Sequence, residues 1–181
     1  DPYVGDWARV TDAPLRGQSA FDSWRWWPSP EQIRQFRAGY YGCINHIDDQ
    51  IARILHLLPR NTLILFTADH GEMAGDHQWL RKRNAWEGSA RIPFLVHGPA
   101  PLGILPGQVR PEPVELMDVM PTLLDAAGLP APDSLDGRSL MPLLRGHSVP
   151  WREFLHGECA AVPTAHSGMQ YVTDGRRKYV W

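Results

Sequence analysis

The chain contains no long apolar run. None of its hydrophobic stretches approaches the roughly 20 residues that a membrane-crossing helix requires, so no membrane role is expected. It has no excess of positive charge either. Lys and Arg number 18 against 20 Asp and Glu, a formal net charge of −2, and no basic stripe favours nucleic acid as a partner. Cysteine is scarce. Cys43 and Cys159 have no CxxC spacing and no neighbouring His pattern, which argues against a zinc site. Two unlinked thiols in or near the core are expected. No internal repeat is present. The N-terminus has neither an initiator Met nor a basic start followed by an apolar segment, so it does not read as a secretory leader. The compartment is not encoded in these residues; the missing leader tilts the expectation toward the cytoplasm. Both ends read as cut, because Arg177 to Trp181 stop within a strand-like run.

What is present suits a globular α/β domain. The 181 residues, 43% apolar and 21% charged, are enough for one domain with a real core. Residues 1–30 are rich in Pro, Gly and Trp without helical or strand period. They read as an irregular segment whose Trp7, Trp24, Trp26 and Trp27 pack on the remainder. Ser29-Pro30-Glu31-Gln32 is a helix start: a Ser cap, Pro in the first turn, and Gln positioned for a capping box. Apolar residues then recur every three or four positions from Ile33 to Leu58, and Pro59 ends the run. Residues 62–67 form a short continuous apolar run, as do residues 92–96. Both suit strands buried on two faces in a parallel sheet. Asp118 is placed to cap a helix through Ala127, with Gly128 as its stop. After Trp151, three short strand-like segments follow, and Asp174-Gly175 signals a hairpin between the last two. This predicts residues 1–150 as the α/β part and 151–181 as the start of a small antiparallel sheet. In open α/β sheets ligands lie beyond the carboxyl ends of strands, which directs attention to Asp69 and His70.

Asp69 and His70 offer a hard carboxylate and an imidazole side by side, both ligands for a divalent cation. A capping carboxylate with a hydrogen-bonded His is the plainer alternative. Gly71 permits a sharp turn after them. Lys82 is a compact cation on a long stem, suited to an oxyanion. By residue type alone, it could equally be a solvated lysine between Arg81 and Arg83.

Thr67-Ala68-Asp69-His70-Gly71, then Gly75-Asp76-His77, Arg81-Lys82, Trp86-Glu87 and Arg91-Ile92-Pro93 follow one another in order. Residues 118–124, Gly128, residues 136–140 and residues 173–179 extend the series. In these motifs the chain resembles the sulfatase family of the alkaline-phosphatase-like superfamily, over residues 31–181. The resemblance implies α/β/α layers around a mainly parallel sheet, present here in part. It implies hydrolysis of small sulfate esters of the arylsulfatase type, with phosphonate monoester or phosphodiester hydrolysis as the neighbouring alternative. Residues matching Asp69 and His70 hold the metal, calcium in most members and manganese in some. The residue matching Lys82 binds the oxyanion and takes part in catalysis. His77 lies near that centre and is expected to support it rather than to react. Glu72, Asp76, Arg81, Arg83 and Glu87 read as scaffold.

One family feature is missing. The nucleophile is a formylglycine made within a C/S-x-P-x-R motif near the family's N-terminus, and neither cysteine here stands in such a motif. Cys43 precedes Ile-Asn-His, and Cys159 precedes Ala-Ala-Val-Pro. The other metal ligands and much of the anion pocket lie earlier in the family pattern. The expectation is therefore a C-terminal half whose principal partner is the missing N-terminal half of its own domain, with little turnover alone. A non-catalytic piece without metal is the third possibility.

Overall fold

The computed structural model describes residues 28–82, 84–159 and 168–181. Trp7, Trp24, Trp26, Trp27 and Arg83 lie outside the described residues. The chain divides into two compact units, each discontinuous in sequence. One comprises Asp1–Leu58, His70–Ile92 and Glu158–Met169; the other comprises Pro59–Asp69, Pro93–Gly157 and Gln170–Trp181.

The first unit is dominated by α1, Pro30–Leu55. Its start follows from local chemistry. Ser29 Oγ accepts from the Gln32 amide at 3.2 Å, and Gln32 Oε1 accepts from the Ser29 amide at 2.9 Å. Two of the amides that every helix start leaves without a partner are thereby satisfied. Regular helix ends at Leu55, slightly before the expected Leu58, and the chain leaves through turn bonds from Leu57 to Ile54 and from Leu58 to Leu55. The apolar stripe is real, yet no residue of α1 is buried. Tyr40, Ile44, Ile47 and Ile54 are 40%, 46%, 53% and 56% exposed. None of the helices among the described residues is long and apolar enough to cross a membrane.

In the second unit, β1 (Ile64–Thr67) and β2 (Phe94–His97) pair antiparallel, with Ile64 opposite His97 and Thr67 opposite Phe94. The parallel arrangement expected of these two runs does not hold for this pair. A parallel return needs a crossover element. The connection between them contains, among its described residues, only a 3-10 turn and the four-residue helix α2, Glu87–Ala90. Burial on both faces also fails: Phe66 is 40% and Leu95 59% exposed.

The core of this unit gathers around α3 (Val119–Ala126) and α4 (Met141–Leu144), where Leu140, Met141 and Leu143 are buried. Thr122 joins the two helices, because its hydroxyl donates to the Asp118 carbonyl at 2.6 Å and accepts from the Leu140 amide at 2.9 Å. Asp118 is not the side-chain cap of α3 that the sequence suggested. It is fully buried, and its carboxylate is an acceptor hub. It receives the Glu115 amide at 3.0 Å, the Arg138 amide at 2.8 Å, and two guanidinium bonds from Arg152 at 2.6 and 2.7 Å. Gly137 is obligatory beside this hub, since a Cβ there would overlap the Met117 carbonyl. Arg152 also lies 3.2 Å from Glu115. Burial pushes the Glu115 acid above its ordinary range, against the pull of Arg152 and with a further push from the Asp118 charge.

Strands β3 (Leu155–Cys159), β4 (Met169–Thr173) and β5 (Lys178–Val180) form a three-stranded sheet in that order, the small sheet expected after Trp151. β4 and β5 pair antiparallel, with Thr173 opposite Lys178. Asp174 closes their turn by accepting from the Arg176 and Arg177 amides at 2.8 and 2.6 Å. No disulfide joins the two cysteines; Cys159 is half-buried, whereas Cys43 is exposed rather than in or near the core as expected.

Candidate functional site

Strand β1 runs into Ala68 and Asp69, and Asp69 is exposed. The next residue, His70, begins the segment that belongs to the first unit. Gly71 then presses against Gly88: a Cβ at Gly71 would overlap the Gly88 carbonyl, and the Gly71 amide donates to Ser89 at 2.8 Å. The glycine serves close packing here, and its φ is not positive.

That packing fixes the His70 imidazole. Its Nδ1 lies 2.8 Å from the Gly71 carbonyl. A carbonyl can only accept, so Nδ1 carries the proton and Nε2 keeps its lone pair. The Lys82 ammonium lies against that Nε2, twelve residues further along the chain. The structure thus brings His70 and Lys82 together in one half-buried pair.

The loop between them is held in an uncommon backbone. Ala74, His77, Gln78 and Arg81 have φ of 48°, 51°, 61° and 68°, and Gly75 has 90°. For non-glycine residues this left-handed region costs roughly 1–2 kcal/mol each, and such strain persists only where surrounding contacts over-determine it. Those contacts are specific. Met73, buried at 1% exposure, donates its amide to the Arg81 carbonyl at 2.8 Å. Gly75 donates to the Trp79 carbonyl at 2.9 Å. From α1, Arg37 donates to the Ala74 carbonyl at 3.0 Å and pairs with Asp76 at 2.5 Å. Glu72 Oε1 accepts the Ala74 amide at 3.1 Å and the Arg81 amide at 2.5 Å. His77 stacks on Trp86, with ring centroids 4.0 Å apart and planes 15° from parallel. Glu72 and Asp76 read as scaffold in the sequence, and the Arg37 tie has no local pattern to announce it.

His70 is a residue type that ligates metals, and one of its ring nitrogens is tied to a carbonyl, while the other meets the Lys82 ammonium. Asp69 adds a hard oxygen. The chemistry of the pair fits a divalent cation, but the number of donors is short. Among the described residues no group of three or more His, Cys, Asp or Glu side chains converges, whereas calcium takes six to eight ligands. Further donors would have to come from beyond these residues.

Comparison with known proteins identifies the family of the chain. A family model described as Sulfatase matches residues 3–129, more than half of the chain. The chain belongs to the sulfatase family. An arylsulfatase of Clostridium perfringens is 38% identical across 100% of this chain, which spans 38% of that enzyme. A choline-sulfatase of Rhizobium meliloti is 35% identical over 83% of the chain and 30% of its own length. Among solved structures, the phosphonate monoester hydrolase SpPMH from Silicibacter pomeroyi superposes with a TM-score of 0.76 at 32% identity, over 86% of this chain and 34% of that one. The fold is therefore that of a sulfatase, α/β and alkaline-phosphatase-like. The chain spans less than two fifths of the length of these relatives. The family match includes Asp69, His70, His77 and Lys82.

Proposed function

We propose that this sulfatase-family chain forms part of a hydrolase of sulfate monoesters, aryl sulfates among them. The observation that carries the reading is the Lys82 ammonium held at His70, three residues beyond the end of a strand. A fixed, half-buried cation is suited to a tetrahedral oxyanion, and it is worth most where water is excluded. In this reading Lys82 binds a non-bridging oxygen of the ester and neutralises charge that develops there. Asp69 and His70 would hold a divalent metal, calcium or manganese, for which Lys82 would give up the His70 nitrogen; when bound the metal supplies Lewis-acid polarisation of the ester. The nucleophile, a formylglycine, belongs to sequence outside these 181 residues, so the isolated chain has little or no turnover.

The remainder of the catalytic domain is the partner this reading requires. The relatives are more than twice as long as this chain, and the exposed Tyr40, Ile44, Ile47 and Ile54 of α1 offer an apolar stripe for additional chain to cover.

A second reading has support of its own. The structural likeness to a phosphonate monoester hydrolase and 42% identity to a multifunctional alkaline phosphatase superfamily protein of Trinickia caryophylli favour phosphonate or phosphate esters as alternative substrates. Steady-state kinetics of the full-length protein on an aryl sulfate and on an aryl phosphonate monoester separate the two. The proposal expects the higher kcat/KM for the sulfate; a preference for the phosphonate would replace it with the second reading.

A further inference from the structure

Lys82 has a flexible four-carbon stem, so something else must hold its ammonium in place. Its backbone neighbour Arg81 is left-handed, at φ 68°, and is gripped from both sides. The Arg81 carbonyl accepts from Met73, and the Arg81 amide donates to Glu72 Oε1 at 2.5 Å. The same carboxylate oxygen takes the Ala74 amide at 3.1 Å, at the other end of the strained loop. One oxygen therefore joins the residue that follows Met73 to the residue that precedes Lys82. Glu72 itself stands two residues after His70. The distance between the imidazole and the ammonium is thus set through a short, closed circuit: His70, Gly71, Glu72, the Arg81 amide, Lys82. Left-handed Ala74, His77, Gln78 and Arg81 would relax toward commoner backbone angles without such a tie.

We infer that Glu72 is a positioning residue for the anion site: its carboxylate fixes the Arg81 amide and thereby aims the Lys82 ammonium. This rests on Lys82 being the oxyanion contact. It gives Glu72 a role distinct from general scaffolding, because its effect passes through Lys82. The acceptor geometry matters rather than the charge, since both partners are backbone amides. Gln keeps an oxygen at the same reach. Asp is one methylene short of Arg81, and Ala has no acceptor.

The test is a double-mutant cycle in the full-length protein, with kcat/KM for an aryl sulfate and the inhibition constant of inorganic sulfate as readouts. A displaced cation at a reacting centre costs about tenfold to a hundredfold. Glu72→Ala is expected to lower kcat/KM and to weaken sulfate inhibition on that scale. Glu72→Gln is expected to recover most of both. In the Lys82→Ala background, Glu72→Ala should add less than about twofold, because the group it aims is gone. Glu72→Asp runs through the same cycle should Glu72→Ala fail to fold. Equal losses in both backgrounds would overturn the proposal, as would wild-type behaviour of Glu72→Ala or, where that variant does not fold, of Glu72→Asp. Unchanged sulfate inhibition in Lys82→Ala alone would instead remove the anion-site reading, and this proposal with it.

Discussion

Replacing Arg152 with Met keeps most of the stem and deletes the guanidinium. In the wild type that group donates twice to Asp118, at 2.6 and 2.7 Å, and lies 3.2 Å from Glu115. Asp118 is fully buried, so water cannot replace the lost donors. Two amide bonds, from Glu115 and Arg138, remain. They satisfy part of the carboxylate and none of its net charge. Removing one partner of a buried ion pair costs about 3–5 kcal/mol, mostly the penalty of the stranded charge. Domains of this size are stable by only about 5–15 kcal/mol, so the substitution should consume a large share. Equilibrium urea unfolding reads this directly. With a slope of about 1–3 kcal/mol/M, the midpoint should fall by more than about 1 M at unchanged slope. Arg152→Lys should fall between wild type and Met, because one ammonium replaces a two-pronged contact. A midpoint within about 0.3 M of wild type for Arg152→Met would refute the claim that this hub holds the α3 region together.

Two further outcomes follow from neighbouring features. Burial raises the Glu115 acid above its ordinary 4.5 despite Arg152, so the native state holds the extra proton and stability declines as pH rises through that window; Glu115→Gln should flatten the urea midpoint between pH 4 and pH 7 and leave it no lower at pH 7, whereas a clear loss at pH 7 would contradict the assignment. Gly71→Ala forces a methyl against the Gly88 carbonyl, an overpacking strain of about 1–3 kcal/mol, and should lower the thermal midpoint; a wild-type midpoint would show that the Gly71 and Gly88 segments are not in close contact.

What could be read from the sequence depended on how local the physics was. The start of α1 was fully legible, because Ser29 and Gln32 satisfy each other within one turn. The turn at Asp174-Gly175 was legible for the same reason. The pairing of β1 and β2 was not: an apolar run of four to six residues states burial but no direction. Asp118 misled, since a cap and a buried hub use the same residue type, and its partner Arg152 lies 34 positions away with no pattern joining them. The loop from Glu72 to Arg81 was opaque in its geometry. Four of its left-handed residues are not glycine, and sequence gives no sign of positive φ at Ala, His, Gln or Arg. Asp69, His70 and Lys82 stood out through the ordered family motifs. By residue type alone, Lys82 would have passed as a surface lysine.

The central claim is that Lys82 presents its cation to the oxyanion of the substrate. The most direct measurement is kcat/KM for an aryl sulfate with full-length wild type and Lys82→Ala, each shown by circular dichroism to be folded. Loss of one oxyanion donor costs about 10²–10³ in rate, and a drop of that order is predicted. Activity within a few-fold of wild type would contradict the account.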